Sequence, residues 1–190
     1  MPRKQESAPV AVDVVIPAYN AAPWIAEALQ SVVGQRDVVA RPVVVDGGST
    51  DGTCEVVAVF GPRVALLRQS HQGIAAARNA GIARATAPYV AFLDSGDVWE
   101  SDFLARQTEV LGLHPELDLC FIDHYQFEDG GPIVLPSSLG QHTGFGALPR
   151  SDAGSPKAYV FDRVIGDDLV DGMFIWTGAL AGTGSSGTGR

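Results

Sequence analysis

The chain has 190 residues, and its 13 Lys and Arg against 22 Asp and Glu give a net charge of -9. This length is typical of one domain, at roughly 100 to 200 residues per domain. Hydrophobic residues make up 46% of the chain, which excludes a protein that is disordered throughout. The acidic balance excludes a general nucleic-acid binder, because such a protein must neutralise phosphates with positive charge.

Targeting signals and cysteine chemistry restrict the compartment. No stretch approaches the ~18 consecutive apolar residues of a membrane-spanning helix, and residues 1–9 lack the apolar core of a secretory signal. Cys54 and Cys120 are not spaced as a metal clip or a disulfide framework, so we expect two reduced thiols. The sequence predicts a cytoplasmic protein without a transmembrane segment, and it leaves contact with the inner face of a membrane open.

Strand and helix patterns alternate over the first 113 residues. Short β-branched apolar runs are typical of strands covered on both faces, and apolar residues at helical spacing follow each of them. The predicted strands are residues 11–17, 42–45, 64–67 and 89–93, and the predicted helices are residues 22–34, 53–60, 73–85 and 101–113. This alternation predicts an α/β fold, a three-layer α/β/α sandwich around a mostly parallel central sheet.

The remaining third of the chain has a different character. Residues 119–127 resemble a further strand before a turn at Gly130, Gly131 and Pro132, and residues 137–157 predict a long surface loop. We expect a flexible N-terminus at 1–9, one domain at 10–180 and a Gly/Ser-rich tail at 181–190. Within the domain, residues 10–113 form a first half and residues 114–180 a shorter second part.

Polar clusters follow three of the predicted strands. They are Tyr19 with Asn20, the segment 46–51, and the segment 94–97. Ligands of open α/β sheets bind at the carboxyl ends of the strands, so these clusters predict one shared site. Residues 56–93 contain arginines and no acidic residue, which favours a ligand with both hydroxyls and phosphates. Asp46 could accept a hydrogen bond from a ribose hydroxyl or a base N–H.

Asp94 and Asp97 form a pair of hard oxygen donors after the fourth strand. Such a pair suits Mg²⁺ or Mn²⁺ bridging a diphosphate. Two aspartates at this spacing are also typical of a turn in which Asp97 caps the following helix. Arg78, on the preceding helix, favours the phosphate hypothesis because it would supply a second contact to the anion.

Several motifs resemble one family in order and placement. VVIPAYN at 14–20, VVVDGGSTDGT at 43–53 and HQGIAAARNAGIARATAPYVAFLDSGDVW at 71–99 are similar to the N-terminal half of the family 2 glycosyltransferases of GT-A fold. The resemblance covers about residues 10–113. It implies a nucleotide-diphospho-sugar transferase-like sheet, a UDP-, GDP- or dTDP-linked sugar donor and a divalent cation. It also implies inverting transfer to a hydroxyl of a saccharide or lipid-linked acceptor, in polysaccharide or glycoconjugate synthesis.

The resemblance also implies roles for individual residues. Those matching the donor site are Pro17, Ala18, Tyr19 and Asn20 at the nucleoside, Asp46 at the base or ribose, Ser49 and Asp51 in the same loop, Arg78 and Asp94 by the donor, and Asp94 with Asp97 at the metal. Gly47 and Gly96 stand where many members have a further aspartate. The pattern therefore departs from the family at the nucleoside loop and at the metal motif.

The catalytic base is not identified by sequence. Residues 174–180 resemble the opening of an acceptor-binding segment, but the pair Asp167 and Asp168 precedes it and does not match the base motif. Two hypotheses follow: an active glycosyltransferase, or a truncated and inactive chain that binds nucleotide. A nucleotidyltransferase is a third, disfavoured because residues 18–24 contain neither a Gly-rich loop nor basic residues.

Overall fold

The structure is a computed structural model and describes residues 8–127, 131–135, 150–152, 159–161 and 180–182. Its helices are α1 (Ile25–Val33), α2 (Thr53–Ala58), α3 (Ile74–Ile82) and α4 (Phe103–Leu113), with a 3-10 turn at Gly61–Arg63. Its strands are β1 (Val10–Ala18), β2 (Val38–Asp46), β3 (Ala65–Arg68), β4 (Tyr89–Phe92), β5 (Leu119–Cys120), β6 (Gln126–Phe127), β7 (Ile133–Leu135), β8 (Arg150–Asp152), β9 (Tyr159–Phe161) and β10 (Leu180–Gly182).

The central sheet has the strand order β3-β2-β1-β4-β10-β5. Neighbours among β3, β2, β1 and β4 pair in parallel, and β10 pairs antiparallel with both β4 and β5. Two antiparallel pairs, β6 with β7 and β8 with β9, lie outside this sheet. The prediction of a mostly parallel sheet is therefore confirmed, with an antiparallel strand that the sequence analysis did not anticipate.

The helices cover both faces of the sheet. Alternate residues of β1 point to opposite sides, as the pleat of a strand requires. Val14 joins a core cluster that includes Leu29 of α1, Val57 of α2 and Leu104 of α4, whereas Val15 joins the cluster that includes Ala77 of α3. This arrangement is the predicted α/β/α sandwich, and the burial of β1 from Val12 to Ala18 explains why its sequence is almost continuously apolar.

Two element boundaries differ from the sequence predictions for local reasons. Strand β2 begins at Val38 rather than residue 42, because Val38 pairs with Val10 although Arg41 and Pro42 interrupt the apolar run. Strand β3 pairs with β2 only from Val43 onward, so Pro42 is tolerated where β2 has a single strand neighbour. Strand β8 falls within the predicted loop at 137–157 and pairs with β9. The loop prediction was therefore wrong for Arg150–Asp152.

The loop before α4 is held by Gln35, which follows the end of α1, rather than by a local side-chain cap. The side-chain oxygen of Gln35 accepts a hydrogen bond from the backbone N–H of Leu104 at 2.9 Å, and its amide nitrogen donates to the carbonyl of Glu100 at 2.7 Å. The helix begins at Phe103, with Asp102 at the N-cap position, so Asp97 does not cap it. Among the helices described, none has the length and apolar character needed to cross a bilayer.

Candidate functional site

The loops after β1 and β2 are joined by hydrogen bonds through Asn20. Its backbone N–H donates to Oγ of Ser49 at 2.9 Å, and its side-chain oxygen accepts from the N–H of Thr50 at 2.9 Å. Asn20 has φ of 51°, in the left-handed region that Asn tolerates better than most residues. These contacts fix the position of the chain immediately after Tyr19.

The backbone N–H groups of the next two residues, Ala21 and Ala22, also donate hydrogen bonds to side chains that follow β2. Ala21 N–H donates to Oγ1 of Thr53 at 2.8 Å, and Ala22 N–H donates to Oδ2 of Asp51 at 3.0 Å. The other carboxylate oxygen of Asp51 accepts from both the N–H and the hydroxyl of Thr53, which holds the pKa of Asp51 below its ordinary value. Asp51 therefore connects the start of α2 to the segment that precedes α1.

Asp46, at the end of β2, is fully buried. Its carboxylate accepts from the N–H of Gly48 at 3.2 Å and of Ser49 at 3.2 Å, and lies 3.6 Å from Nε of Arg68. Burial acts to raise the pKa of Asp46, but hydrogen bonds from Ser49, Cys54 and Gly48 outweigh it and lower the pKa below its ordinary value. In this geometry Asp46 shapes the β2 loop, as a negatively charged group inside it.

Arg78 and Asp94 form an ion pair between α3 and the end of β4. Nη2 of Arg78 lies 3.0 Å from Oδ1 of Asp94, and each side chain is about one-third exposed, at 30% and 32%. Nε of Arg78 is buried and has no hydrogen-bond partner among the residues that the structure describes. The two residues that the sequence placed at the phosphates and at the metal are thus in direct contact.

The segment 94–97 turns tightly after β4. The N–H of Asp97 donates to the carbonyl of Asp94 at 3.0 Å, which confirms the predicted turn. Behind it, the rings of Trp99 and Phe103 stack with centroids 4.2 Å apart, and both are buried at 7% and 6% exposure. This apolar packing anchors the turn to the core on its α4 side.

A pocket of about 220 Å³ opens at the carboxyl edge of the sheet. Its walls come from the ends of β1, β2 and β4 and from the start of α3. The lining residues are Pro17, Ala18, Tyr19, Gly47, His71, Gln72, Gly73, Ile74, Ala77, Asp94 and Ser95. Pockets for drug-sized ligands have volumes of roughly 300 to 1,000 Å³, so this pocket is too small to enclose a whole ligand of that size.

The sequence analysis missed the pocket residues that follow β3. Residues 71–74 lie between that strand and α3, and their place at the same sheet edge was the signal that could have found them. The rings of Tyr19 and His71 are 4.1 Å apart between centroids, at an interplanar angle of 46°. His71 therefore forms part of the same wall as a predicted site residue.

A second, wider cleft of about 600 Å³ adjoins the same turn. Gly96 and Asp97 line it, whereas Asp94 and Ser95 line the first pocket. Its other lining residues include aromatic side chains that are about half exposed, Trp24, Tyr125 and Phe127. The hydroxyl of Tyr125 donates to a carboxylate oxygen of Glu100 at 2.8 Å, which raises the pKa of Tyr125.

A divalent cation at the turn after β4 would need oxygen ligands from a bound molecule in addition to Asp94 and Asp97. Within the described ranges, no group of three or more His, Cys, Asp or Glu side chains is arranged to hold a metal. Asp94 and Asp97 supply carboxylates on one turn, and Mg²⁺ is commonly held by one or two carboxylates together with substrate phosphates. A cation held by protein side chains alone does not fit these residues.

The structure thus separates the predicted site residues into groups. Pro17, Ala18, Tyr19 and Asp94 line the pocket. Arg78 pairs with Asp94. The others hold the adjoining loops (Asn20, Asp46, Ser49 and Asp51) or line the second cleft (Asp97). Their contacts with a ligand stay predictions. Asp167 and Asp168, considered for the catalytic base, lie outside the described residues, as do 174–179.

Known proteins are similar to this chain over the same region. It is 36% identical over 104 residues to the putative teichuronic acid biosynthesis glycosyltransferase TuaG of Bacillus subtilis, covering 53% of this chain and 41% of that protein. It matches S. aureus TarS 1-349 in complex with UDP-GlcNAc at a TM-score of 0.57 and 25% identity, covering 70% of this chain and 38% of that one.

A third similarity is to a protein whose solved structure includes a metal. The mannosyltransferase PcManGT from Pyrobaculum calidifontis, in complex with GDP-Man and Mn²⁺, matches at a TM-score of 0.51 and 30% identity, covering 64% of this chain and 40% of that one. The chain spans less than half the length of the curated relatives it matches, between 17% and 45% in the most similar ones.

The sequence profile described as Glycosyl transferase family 2 matches residues 13–150, most of the chain. The matched range includes β1 from Asp13 onward, the pocket at the sheet edge, the Arg78–Asp94 pair and the turn at 94–97. The sequence resemblance is confirmed: this chain belongs to glycosyl transferase family 2.

Proposed function

We propose that the chain carries the donor site of an inverting glycosyltransferase, which moves a sugar from a nucleoside-diphosphate sugar to an acceptor hydroxyl. The observation that carries the proposal is the pocket at the sheet edge, where Tyr19 and the ion-paired Asp94 line the same cavity. An aromatic side chain suits a nucleoside, and a carboxylate with an arginine suits a cation and a diphosphate. The proposed setting is polysaccharide or glycoconjugate synthesis, which the name of TuaG, a putative teichuronic acid biosynthesis glycosyltransferase, supports.

Within this site, Pro17, Ala18 and Tyr19 would contact the nucleoside, because they line the pocket directly. Asn20, Ser49 and Asp51 would support it by holding the two loops together. Asp46 would keep the β2 loop in shape and place a negative charge near the base or ribose. UDP, GDP and dTDP are all candidate carriers, and the similar structures in complex with UDP-GlcNAc and GDP-Man support the first two.

Asp94 with Asp97 would hold a divalent cation, completed by the diphosphate of the donor. Such a cation neutralises negative charge as the nucleoside diphosphate leaves. Arg78 would bind the diphosphate through its guanidinium, a role for which its exposed fraction of 30% leaves room. The Mn²⁺ in the complex of PcManGT, a similar protein, also supports this proposal.

The wider cleft would receive the acceptor. It shares the turn at 94–97 with the first pocket, so a molecule bound there would lie next to the proposed cation ligands. Exposed aromatic rings pack well against the apolar faces of sugars, and carboxylates such as Glu100 accept hydrogen bonds from hydroxyls. We propose a saccharide or lipid-linked acceptor for this cleft, and a cytoplasmic location that permits contact with the inner face of the membrane.

The alternative hypothesis is a chain that binds nucleotide without transferring sugar. Calorimetry with UDP, GDP and dTDP, with and without Mn²⁺, tests binding, and hydrolysis of UDP-GlcNAc and GDP-Man tests turnover. The proposal expects Mn²⁺-dependent binding and slow donor hydrolysis, and expects Asp94→Asn with Asp97→Asn to abolish the Mn²⁺ dependence. Asp118→Asn, at an exposed position before β5, is the matched control. Binding without turnover would support the alternative, and no binding would overturn both.

A further inference from the structure

We propose that the wider cleft selects the acceptor by charge, and that it takes a saccharide with a protonated amino group in preference to a neutral or an acidic one. The inference rests on the proposed function, which assigns this cleft to the acceptor, and it adds the chemical class of that acceptor. The cleft has a volume of about 600 Å³, which is ample for a sugar residue.

The first observation is that carboxylates line the cleft from three separate elements. Glu27 lies on α1, Glu100 in the segment between β4 and α4, and Asp123 in the segment between β5 and β6. All three residues are exposed. Asp97 also lines the cleft, but the proposed cation would offset its charge. A positively charged group inside the cleft would therefore meet negative charge from several directions, because a cleft lined by one sign of charge concentrates the field.

The second observation concerns basic residues. Within the part of the chain that the structure describes, no lysine or arginine lines this cleft. Arg106, on α4, forms an ion pair with Asp102, and neither side chain is part of the lining. The donor pocket differs, because there Arg78 pairs with the lining residue Asp94. The two cavities thus suit ligands of opposite charge, a diphosphate with its metal in one and a cation in the other.

The third observation is the accessible aromatic surface beside these carboxylates. Trp24 is 56% exposed and Tyr125 is 43% exposed, and both line the cleft. The hydroxyl of Tyr125 donates to Glu100 at 2.8 Å, which holds an aromatic ring next to a carboxylate. An ammonium group is attracted both to the face of an aromatic ring and to a carboxylate. The carboxylate of a uronic acid would instead be repelled, so the same lining disfavours acidic sugars.

Three methyl glycosides test the charge preference. The neutral reference is methyl glucoside; methyl glucosaminide replaces one hydroxyl by an ammonium group, and methyl glucuronide replaces the primary alcohol by a carboxylate. Ligand-observed NMR titration in UDP and Mg²⁺, at a mildly acidic pH that keeps the amine protonated, would measure each affinity. We expect the glucosaminide to bind roughly fivefold tighter than the glucoside, and the glucuronide roughly fivefold weaker. Equal affinities or the reverse order would overturn the inference.

Removal of two carboxylates tests whether the cleft itself causes the preference. Glu27→Gln with Asp123→Asn keeps the size of both side chains, so the affinity for the glucoside should not change. The advantage of the glucosaminide should fall to roughly twofold or less. Glu55→Gln with Asp118→Asn removes the same charge at exposed positions outside the lining and should retain the preference. An equal loss in both double variants would assign the effect to the net charge of the protein and overturn the inference.

A third variant separates this inference from the proposed function. Trp24→Ala should weaken the binding of the neutral glucoside severalfold, because packing of a ring against a sugar does not depend on charge. If that loss occurs but the three glycosides bind equally well, the acceptor cleft stands and the charge preference is wrong. If none of the three binds the unsubstituted chain in UDP and Mg²⁺, the proposed acceptor cleft fails and the inference fails with it.

Discussion

Nη2 of Arg78 on α3 lies 3.0 Å from Oδ1 of Asp94 at the end of β4. The pair joins two elements that are consecutive in the βαβ sequence. The fold itself therefore brings a guanidinium and a carboxylate to one edge of the sheet. An arriving diphosphate with its metal would offer each residue a partner of opposite charge. In the structure the ion pair leaves neither of these two charges unmatched.

The first prediction concerns Arg78→Ala. Loss of the guanidinium should weaken the binding of UDP or GDP in Mn²⁺ by about tenfold or more, because a hydrogen bond to a charged group contributes roughly 1.5 to 3 kcal/mol. Calorimetry measures the change. Arg84→Ala, at an exposed position beyond the end of α3, is the control and should bind as the unsubstituted chain does. Equal affinities for the two variants would remove Arg78 from the proposed site.

The sequence predicts the part of the site that follows from the order of elements along the chain, and it does not predict contacts between segments that are distant in sequence. The clusters after β1, β2 and β4 were found because parallel strands place their carboxyl ends together, a rule that needs only the order of elements. Arg78 was also predicted as a site residue, but its ion pair with Asp94 was not, because the distance between them depends on how α3 packs on β1. The same applies to His71, whose contact with Tyr19 crosses from one loop to another.

The fold shows the same division. Strand β1 is predictable because its burial on both faces appears directly in its apolar residues. Strand β10 is not, because the three residues Leu180, Ala181 and Gly182 are too few for a periodic pattern, and their pairing with β4 is a contact between distant parts of the chain. Short strands are specified by the partner they meet rather than by their own sequence.

The second prediction concerns Gly81, where α3 meets β1. A Cβ atom there would clash with Cγ1 and Cγ2 of Val15, which the packed strand cannot accommodate without moving. Gly81→Ala should therefore lower the free energy of unfolding by about 1 to 3 kcal/mol, the usual cost of overpacking. Urea unfolding measures the loss.

Gly112→Ala is the control for that substitution. Gly112 lies in α4 with nothing within 4 Å of an added Cβ, so alanine should leave stability unchanged or raise it by up to about 1 kcal/mol through helix propensity. Adding Val15→Ala to Gly81→Ala should make the two effects non-additive, because the second change removes the atoms that clash. Additive losses would show that close packing at Gly81 is not the cause.

The third prediction concerns pH. The pKa of Asp46 is lowered from an ordinary value of 3.8, despite burial, by hydrogen bonds that favour the carboxylate. The stability it contributes is therefore present above that ordinary value and is lost as the pH falls through the lower, folded-state pKa. Comparison of the unsubstituted chain with Asp46→Asn by urea unfolding should show the largest difference near neutral pH and a smaller one under strong acid. A difference independent of pH would mean that the charge of Asp46 contributes nothing to the loop.

The fourth prediction separates conformation from hydrogen bonding at Asn20. Asn20→Gly keeps a residue that adopts φ of 51° easily and loses only the acceptor for Thr50 N–H, whereas Asn20→Ala loses the acceptor and also strains the backbone. The free energy of unfolding should fall in the order unsubstituted, Asn20→Gly, Asn20→Ala, with the last step about 1 to 2 kcal/mol. Asp37, also at positive φ with 63°, is the control, because Asp37→Gly should relieve strain without lowering stability. If Asn20→Ala proves as stable as Asn20→Gly, the left-handed conformation is not what holds the chain after Tyr19.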